Sequence, residues 1–198
     1  MSKSAWLIAP YAAWMVLMSV LPSTATGYAV RSVVTAALLV GWLKAEGLKA
    51  RGMDGPGIGR SVLIGLGVGL VVFAIWILPE QFGWEWYRRF CIAGEGGTTA
   101  VAESSGVLLA IRLAGSAFVI SVAEELFFRK WLIGFAGFWW MVGLFAIEHD
   151  RWLVGAIAGV VYGGLYLRAG LLSAIVAHAT TNLVLGLWVL KTGQWQFW

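Results

Sequence analysis

The sequence predicts an all-α fold, a polytopic bundle of about seven or eight transmembrane helices, and three observations carry that reading. Of its 198 residues 60% are hydrophobic and only 12% charged, against about 25% charged in a soluble globular domain. Mean hydropathy is +0.82. Apolar runs recur near residues 5–21, 28–43, 61–78, 106–128, 131–147, 151–167 and 170–190, each close to the roughly 20 residues that cross hydrocarbon as a helix. Seven such runs fill the chain and leave no room for a soluble unit, so residues 1–198 read as a single membrane domain.

Taken in order, the first run follows Lys3 and ends at Pro22-Ser23-Thr24. A cleaved signal peptide is the alternative, but the run is long for one and the site after it is poor for cleavage, so a retained span is expected. Between the second and third runs, Gly55, Pro56, Gly57 and Gly59 break the helix, and Lys44, Lys49, Arg51 and Arg60 outnumber Glu46 and Asp54. That loop is expected on the cytoplasmic side, which also places the N-terminus there. The polar stretch 79–105 carries Glu80, Glu85, Glu95 and Glu103 against Arg88 and Arg89 and is assigned to the outer side, with Trp84, Trp86 and Tyr87 at headgroup level. In the sixth run Gly155, Gly159 and Gly163 put three positions without side chains on one face, the pattern of close helix packing. The net charge of +4 belongs to residues flanking apolar runs and reads as a topology signal, not as a nucleic-acid surface. Cys91 is the only cysteine, which excludes an internal disulfide and a cysteine metal cluster.

Ionisable groups inside apolar runs are costly and therefore functional candidates. Arg31 and Arg112 lie near span ends and have a structural explanation in snorkelling. Three groups remain. In the first, Glu125 and Arg129 are four apart and share a helix face as an internal ion pair, while Glu124 is turned about 100° away and is the candidate base. In the second, His149 follows Phe145 by one turn, within the polar cluster Glu148-His149-Asp150-Arg151. In the third, His178 and Asn182 present two hydrogen-bond donors on one face, suited to a developing oxyanion. Each group alone has a packing explanation; their joint occurrence on apolar helices points to a site.

This order, Glu-Glu-x-x-x-Arg, Phe-x-x-x-His and His-x-x-x-Asn, resembles the CPBP family, also called the ABI family or type II CAAX prenyl endopeptidases. The resemblance covers roughly 106–190. Arg151-Trp152 through Gly159, Tyr162-Gly163, Leu165-Tyr166 and Arg168 are most similar to a bacterial subgroup, the CAAX prenyl protease-related proteins associated with exosortase-type sorting. The resemblance implies an intramembrane endopeptidase in which Glu124 and His149 activate water and His178 and Asn182 stabilise the oxyanion, with Glu125, Arg129 and Phe145 in support. It implies a membrane-associated protein or peptide substrate, a bacterial inner membrane, and no cofactor. Zinc on Glu124, His149 and His178 is the lesser alternative, since no His-Glu-x-x-His helix is present. A non-catalytic immunity or partner protein and an ion-coupled transporter are the rival readings. Oligomeric state is not legible.

One tension stands. If 131–147 is a full span, His149 emerges across the membrane from the end of the Glu124 helix. Convergence requires that this helix run beyond Lys130, or that the stretch Gly134 to Gly137 break the chain and leave a short helix after it.

Overall fold

The computed structural model describes residues 2–46, 57–93 and 105–197. These form seven helices: α1 (Lys3–Val20), α2 (Ala25–Glu46), α3 (Ile58–Gln81), α4 (Glu85–Cys91), α5 (Gly106–Ala136), α6 (Phe138–Ile147) and α7 (Trp152–Thr192), followed by a 3₁₀ turn at Trp195–Phe197. Among the described residues there is no strand, and α2, α3, α5 and α7 are long and apolar enough to cross a membrane. The chain is an integral membrane helix bundle. Lys49, Arg51, Asp54, Gly55, Pro56, Glu95 and Glu103, on which much of the topology expectation rests, lie outside the described residues.

Two glycines set the topology. At about 1.5 Å per residue, a straight 41-residue α7 would be about twice as long as the hydrocarbon core is thick. Gly170, at φ 81° and ψ 172°, breaks it. Tyr162 stacks on His178 with ring centroids 5.0 Å apart, although the two lie 8 residues on either side of Gly170. The legs 152–169 and 171–192 therefore run antiparallel, matching the two separate runs in the sequence. Gly137, at φ 94° and ψ 167°, does the same between α5 and α6: the rings of Phe128 and Phe145, nearly equidistant from it in sequence, meet at 5.1 Å.

This second hairpin corrects the expected span 131–147. The α5 helix continues through Lys130 to Ala136, and α6 has 10 residues, about half the hydrocarbon thickness. Glu124 precedes Gly137 by 13 residues and His149 follows it by 12, so a hairpin closed there returns His149 to the level of Glu124. Both adjustments that the sequence left open occur together.

Glycine packing fixes the remaining contacts. A β-carbon at Gly155 would lie 3.2 Å from His149 Cβ, at Gly159 3.4 Å from Phe145 Cδ1, and at Gly163 2.6 Å from Met141 Cε. The three-glycine face is thus the seat of α6. On α3, a β-carbon at Gly69 would meet the Ala177 carbonyl oxygen at 2.5 Å, which brings α3 onto the second leg of α7. The short α4, unforeseen in the sequence, buries Tyr87 and Cys91 against Val154. Phe90 O accepts from Trp152 Nε1 and Asp150 O accepts from Ala93 N, while Arg151 pairs with Glu80. Burial pushes the Cys91 thiol up, which suits an inert packing group.

The backbone at Gly137 lies where residues with a β-carbon are strained by about 1–3 kcal/mol. Gly137→Ala should lower the thermal midpoint in detergent, whereas Gly134→Ala, helical and with open space around its α-carbon, should leave it unchanged or raised. Equal midpoints for the two variants would remove Gly137 as the cause of the hairpin.

Candidate active site

Glu124 ends the short α-helical stretch between two wide π-type segments of α5, Gly115–Ile120 and Glu125–Leu132, and Glu125 opens the second. Such turns insert an extra residue into the helical register and recur at functional sites. Here they accompany a phase in which both carboxylates face inward, not in diverging directions: Glu124 is 7% exposed, Glu125 and Arg129 are 0%. Arg129 Nη1 stands 3.1 Å from Glu125 Oε1, the expected i,i+4 pair, and the guanidinium lies 4.2 Å from the centre of the Phe145 ring.

Both glutamates reach the same imidazole. His178 Nδ1 is 2.9 Å from Glu125 Oε1, and His178 Nε2 is 3.7 Å from Glu124 Oε2. A carboxylate paired with Arg129 can only accept, so Nδ1 carries the hydrogen and Nε2 turns its lone pair toward Glu124. Tyr162 stacks on the imidazole and donates its hydroxyl to Thr181 Oγ1, which in turn donates to Gly69 O. The ring is thereby held from three sides.

His149 belongs to the same cluster. Its ring centroid is 4.6 Å from Phe145, which also meets His178 at 5.9 Å. Its Nδ1 is 2.7 Å from Phe145 O. A carbonyl cannot donate, so Nδ1–H points there and Nε2 is left as an acceptor. Trp76 packs edge-on against it. Phe145 is therefore the common wall of both histidines and of Arg129.

A cavity of about 200 Å³ opens beside these groups, lined by His149, His178, Asn182, Tyr162, Thr181 and Ser116 among others. Asn182 Nδ2 donates to Ser116 O and to Ser121 Oγ, both at 3.0 Å. Its two amide hydrogens are engaged with α5, a fuller commitment than the sequence implied for an oxyanion donor.

Glu148 and Tyr11 were missed in the sequence. Tyr11, on α1 and stacked on Phe127 at 4.5 Å, lies beside the Glu148 carboxylate. Glu148 Oε2 and Glu124 Oε2 are both buried without a hydrogen-bond partner. The signal in the sequence is the polar cluster Glu148-His149-Asp150-Arg151, which stands just past the end of the expected span 131–147. Asp150 is indeed exposed; Glu148 and His149 are partly buried.

Residues 106–184 match the family model described as Type II CAAX prenyl endopeptidase Rce1-like. Over that stretch, less than half of the chain, the protein is similar to this family. No curated protein and no solved structure matches. The matched stretch holds every residue of the three motifs, and the similarity supports a protease of the CAAX type, a hydrolase acting on a membrane-associated protein in the bilayer. Among the described residues, no group of three or more His, Cys, Asp or Glu side chains is close enough to hold a metal ion. The Nδ1 atoms of His149 and His178 have protein partners, and both Nε2 atoms stay open.

Breaking a buried ion pair from one side leaves an uncompensated charge and costs about 3–5 kcal/mol. Arg129→Met should therefore destabilise the protein strongly, and adding Glu125→Gln should recover part of the loss. Unfolding midpoints over the double-mutant cycle measure it; additive losses would mean that the pair is not coupled.

Proposed function

We propose that the protein is a metal-free glutamic intramembrane endopeptidase that hydrolyses a peptide bond of a membrane-associated protein or peptide. The observation that supports this most is that His149 and His178 share the Phe145 ring and line one cavity, with Glu124 Oε2 3.7 Å from His178 Nε2. The two imidazoles there offer Nε2 atoms as acceptors.

In this reading a water bound in the cavity hydrogen-bonds His149 Nε2 and loses a proton to the Glu124 carboxylate, and its oxygen attacks the scissile carbonyl carbon. The carbonyl π pair moves onto oxygen. His178, 3.7 Å from Glu124, becomes an Nε2 donor when it shares that proton, at the moment an oxyanion needs one. Asn182 joins it by exchanging its bond to Ser121. Collapse of the tetrahedral intermediate breaks the C–N bond, and the Glu124–His178 pair returns the proton to the leaving amine. Glu125 and Arg129 hold His178 in orientation; Phe145 spaces the two histidines.

We read the positive residues that flank the apolar runs as placing the N-terminus on the cytoplasmic side of a bacterial inner membrane, with one membrane domain over residues 1–198. The substrate read for such a member is a leader peptide or sorting-signal protein; a prenyl group on it does not follow from the resemblance. One observation favours a non-catalytic partner protein instead: both amide hydrogens of Asn182 are bound to α5.

The test is cleavage of a panel of membrane-anchored peptides, lipid-modified and plain, by protein reconstituted in liposomes and read by mass spectrometry. Wild type should cleave a subset, and Glu124→Gln should lose at least about a thousandfold in rate with an unchanged melting midpoint, on the scale expected for removing a base together with its proton return. Equal cleavage by Glu124→Gln would overturn the assignment of the base. No cleavage by wild type across the panel would favour the partner-protein reading.

A further inference from the structure

The cavity is smaller than the reaction proposed for it requires. Pockets that enclose a ligand measure about 300–1,000 Å³, and a peptide bound on both sides of its scissile bond fills such a space. This cavity holds about 200 Å³. Part of its wall must therefore yield when a substrate enters. Among the described residues that line it, all but one lie on α3, α5, α6 or α7 or, for His149, on the short α6–α7 connection. The exception is Phe197, on the 3₁₀ turn that follows α7.

The way this turn is seated suits a part that moves. α7 ends at Gly193, in the left-handed conformation at φ 69° and ψ 14°, and beyond it Gln194 Oε1 accepts from Gln81 Nε2, at the end of α3, at 2.8 Å. The Phe197 ring is buried edge-on to Trp188 at 5.3 Å, with the Arg151 guanidinium 4.4 Å from its centre. Arg151 stands two residues after His149, so the strap of residues 193–197 rests on the stretch of chain that carries a site histidine. Gln81 is exposed, and a hydrogen bond at such a place exchanges readily with water. Arg151 is paired with Glu80, so its charge stays balanced when the ring leaves. Displacing the strap strands no buried ion.

We propose that residues 193–197 form a hinged gate over the cavity, in which Phe197 swings out about Gly193 to admit the peptide and returns to enclose it. Closure of a short segment over bound substrate keeps bulk water from the reaction. When the ring leaves, Trp76 and Leu185, which belong to the same apolar cluster and also line the cavity, become the rim of the opening. What the gate admits rests on the endopeptidase reading above; its motion does not, and is measurable without cleavage.

His149 and His178 are the only histidines of the chain, and both line the cavity. Their acylation by diethyl pyrocarbonate, followed residue by residue by mass spectrometry on the detergent-purified full chain, therefore reports access to it. Phe197→Ala should raise both rates at least about tenfold. Gln81→Cys with Gln194→Cys, in a Cys91→Ala background and bridged by a short bis-methanethiosulfonate, should lower both at least about tenfold against the same protein before bridging, and reductant should restore them. The two glutamines meet at the bundle surface, so the bridge reads motion even where Phe197→Ala loosens the fold. Equal rates before and after bridging overturn the proposal, since the strap is then a fixed wall or access lies elsewhere. A wild-type rate in Phe197→Ala overturns it too. A bridge that slows acylation of a protein that cleaves no peptide keeps the gate and removes the endopeptidase reading alone.

Discussion

The constraint on which the site depends is the burial of Arg129. A guanidinium with no solvent exposure, inside a bundle with few charges, must be balanced within reach. Glu125 balances it from the next turn, and the faces of Phe145 and Tyr162 take up the rest of its surface. The same Glu125 oxygen then accepts from His178 Nδ1. One ion pair thereby sets the tautomer of the imidazole, and the tautomer decides that a lone pair, not a hydrogen, faces Glu124. The chemistry of the cavity follows from a charge-balance requirement two side chains removed.

Bringing His149 to that place is the work of backbone breaks. A helix that crosses the bilayer would carry its ends apart, and the three motifs would be spread over both faces. Gly137 and Gly170 each reverse the chain, and the motif residues fall at nearly equal sequence distance on either side: Glu124 and His149 about the first, Tyr162 and His178 about the second. The glycine face at 155, 159 and 163 then lets the short α6 lie close against the first leg of α7. Small residues supply the approach, and polar pairs at the meeting points supply specificity.

How far this was legible in the sequence depends on the kind of signal. Apolar composition fixed the class, and the charged and amide residues inside apolar runs named Glu124, Glu125, Arg129, His149, His178 and Asn182, because in hydrocarbon such residues need a reason. The glycine stripe was legible for the same reason: its period is that of the helix. What escaped was phase and length. Hydropathy cannot distinguish 17 apolar residues that span from an apolar helix end joined through Gly137 to a 10-residue hairpin arm. Nor does it register a π-type turn that rotates Glu124 inward. Glu148 was not singled out because it stands just past the expected span 131–147, and Tyr11, an ordinary aromatic on an apolar helix, carried no signal at all. Arg31, buried in the bundle, looked like a snorkelling residue since sequence position gives depth but not the direction in which a long side chain is buried.

The claim that everything functional here rests on is that His149 and Glu124 face one cavity at one depth. An experimental structure of the full chain in lipid, at a resolution that shows ordered water, tests it most directly. The account requires a water within hydrogen-bond reach of both His149 Nε2 and the Glu124 carboxylate, with His178 Nδ1 still on Glu125. A His149 ring turned into lipid, or separated from Glu124 by the thickness of a full-length helix, would contradict it.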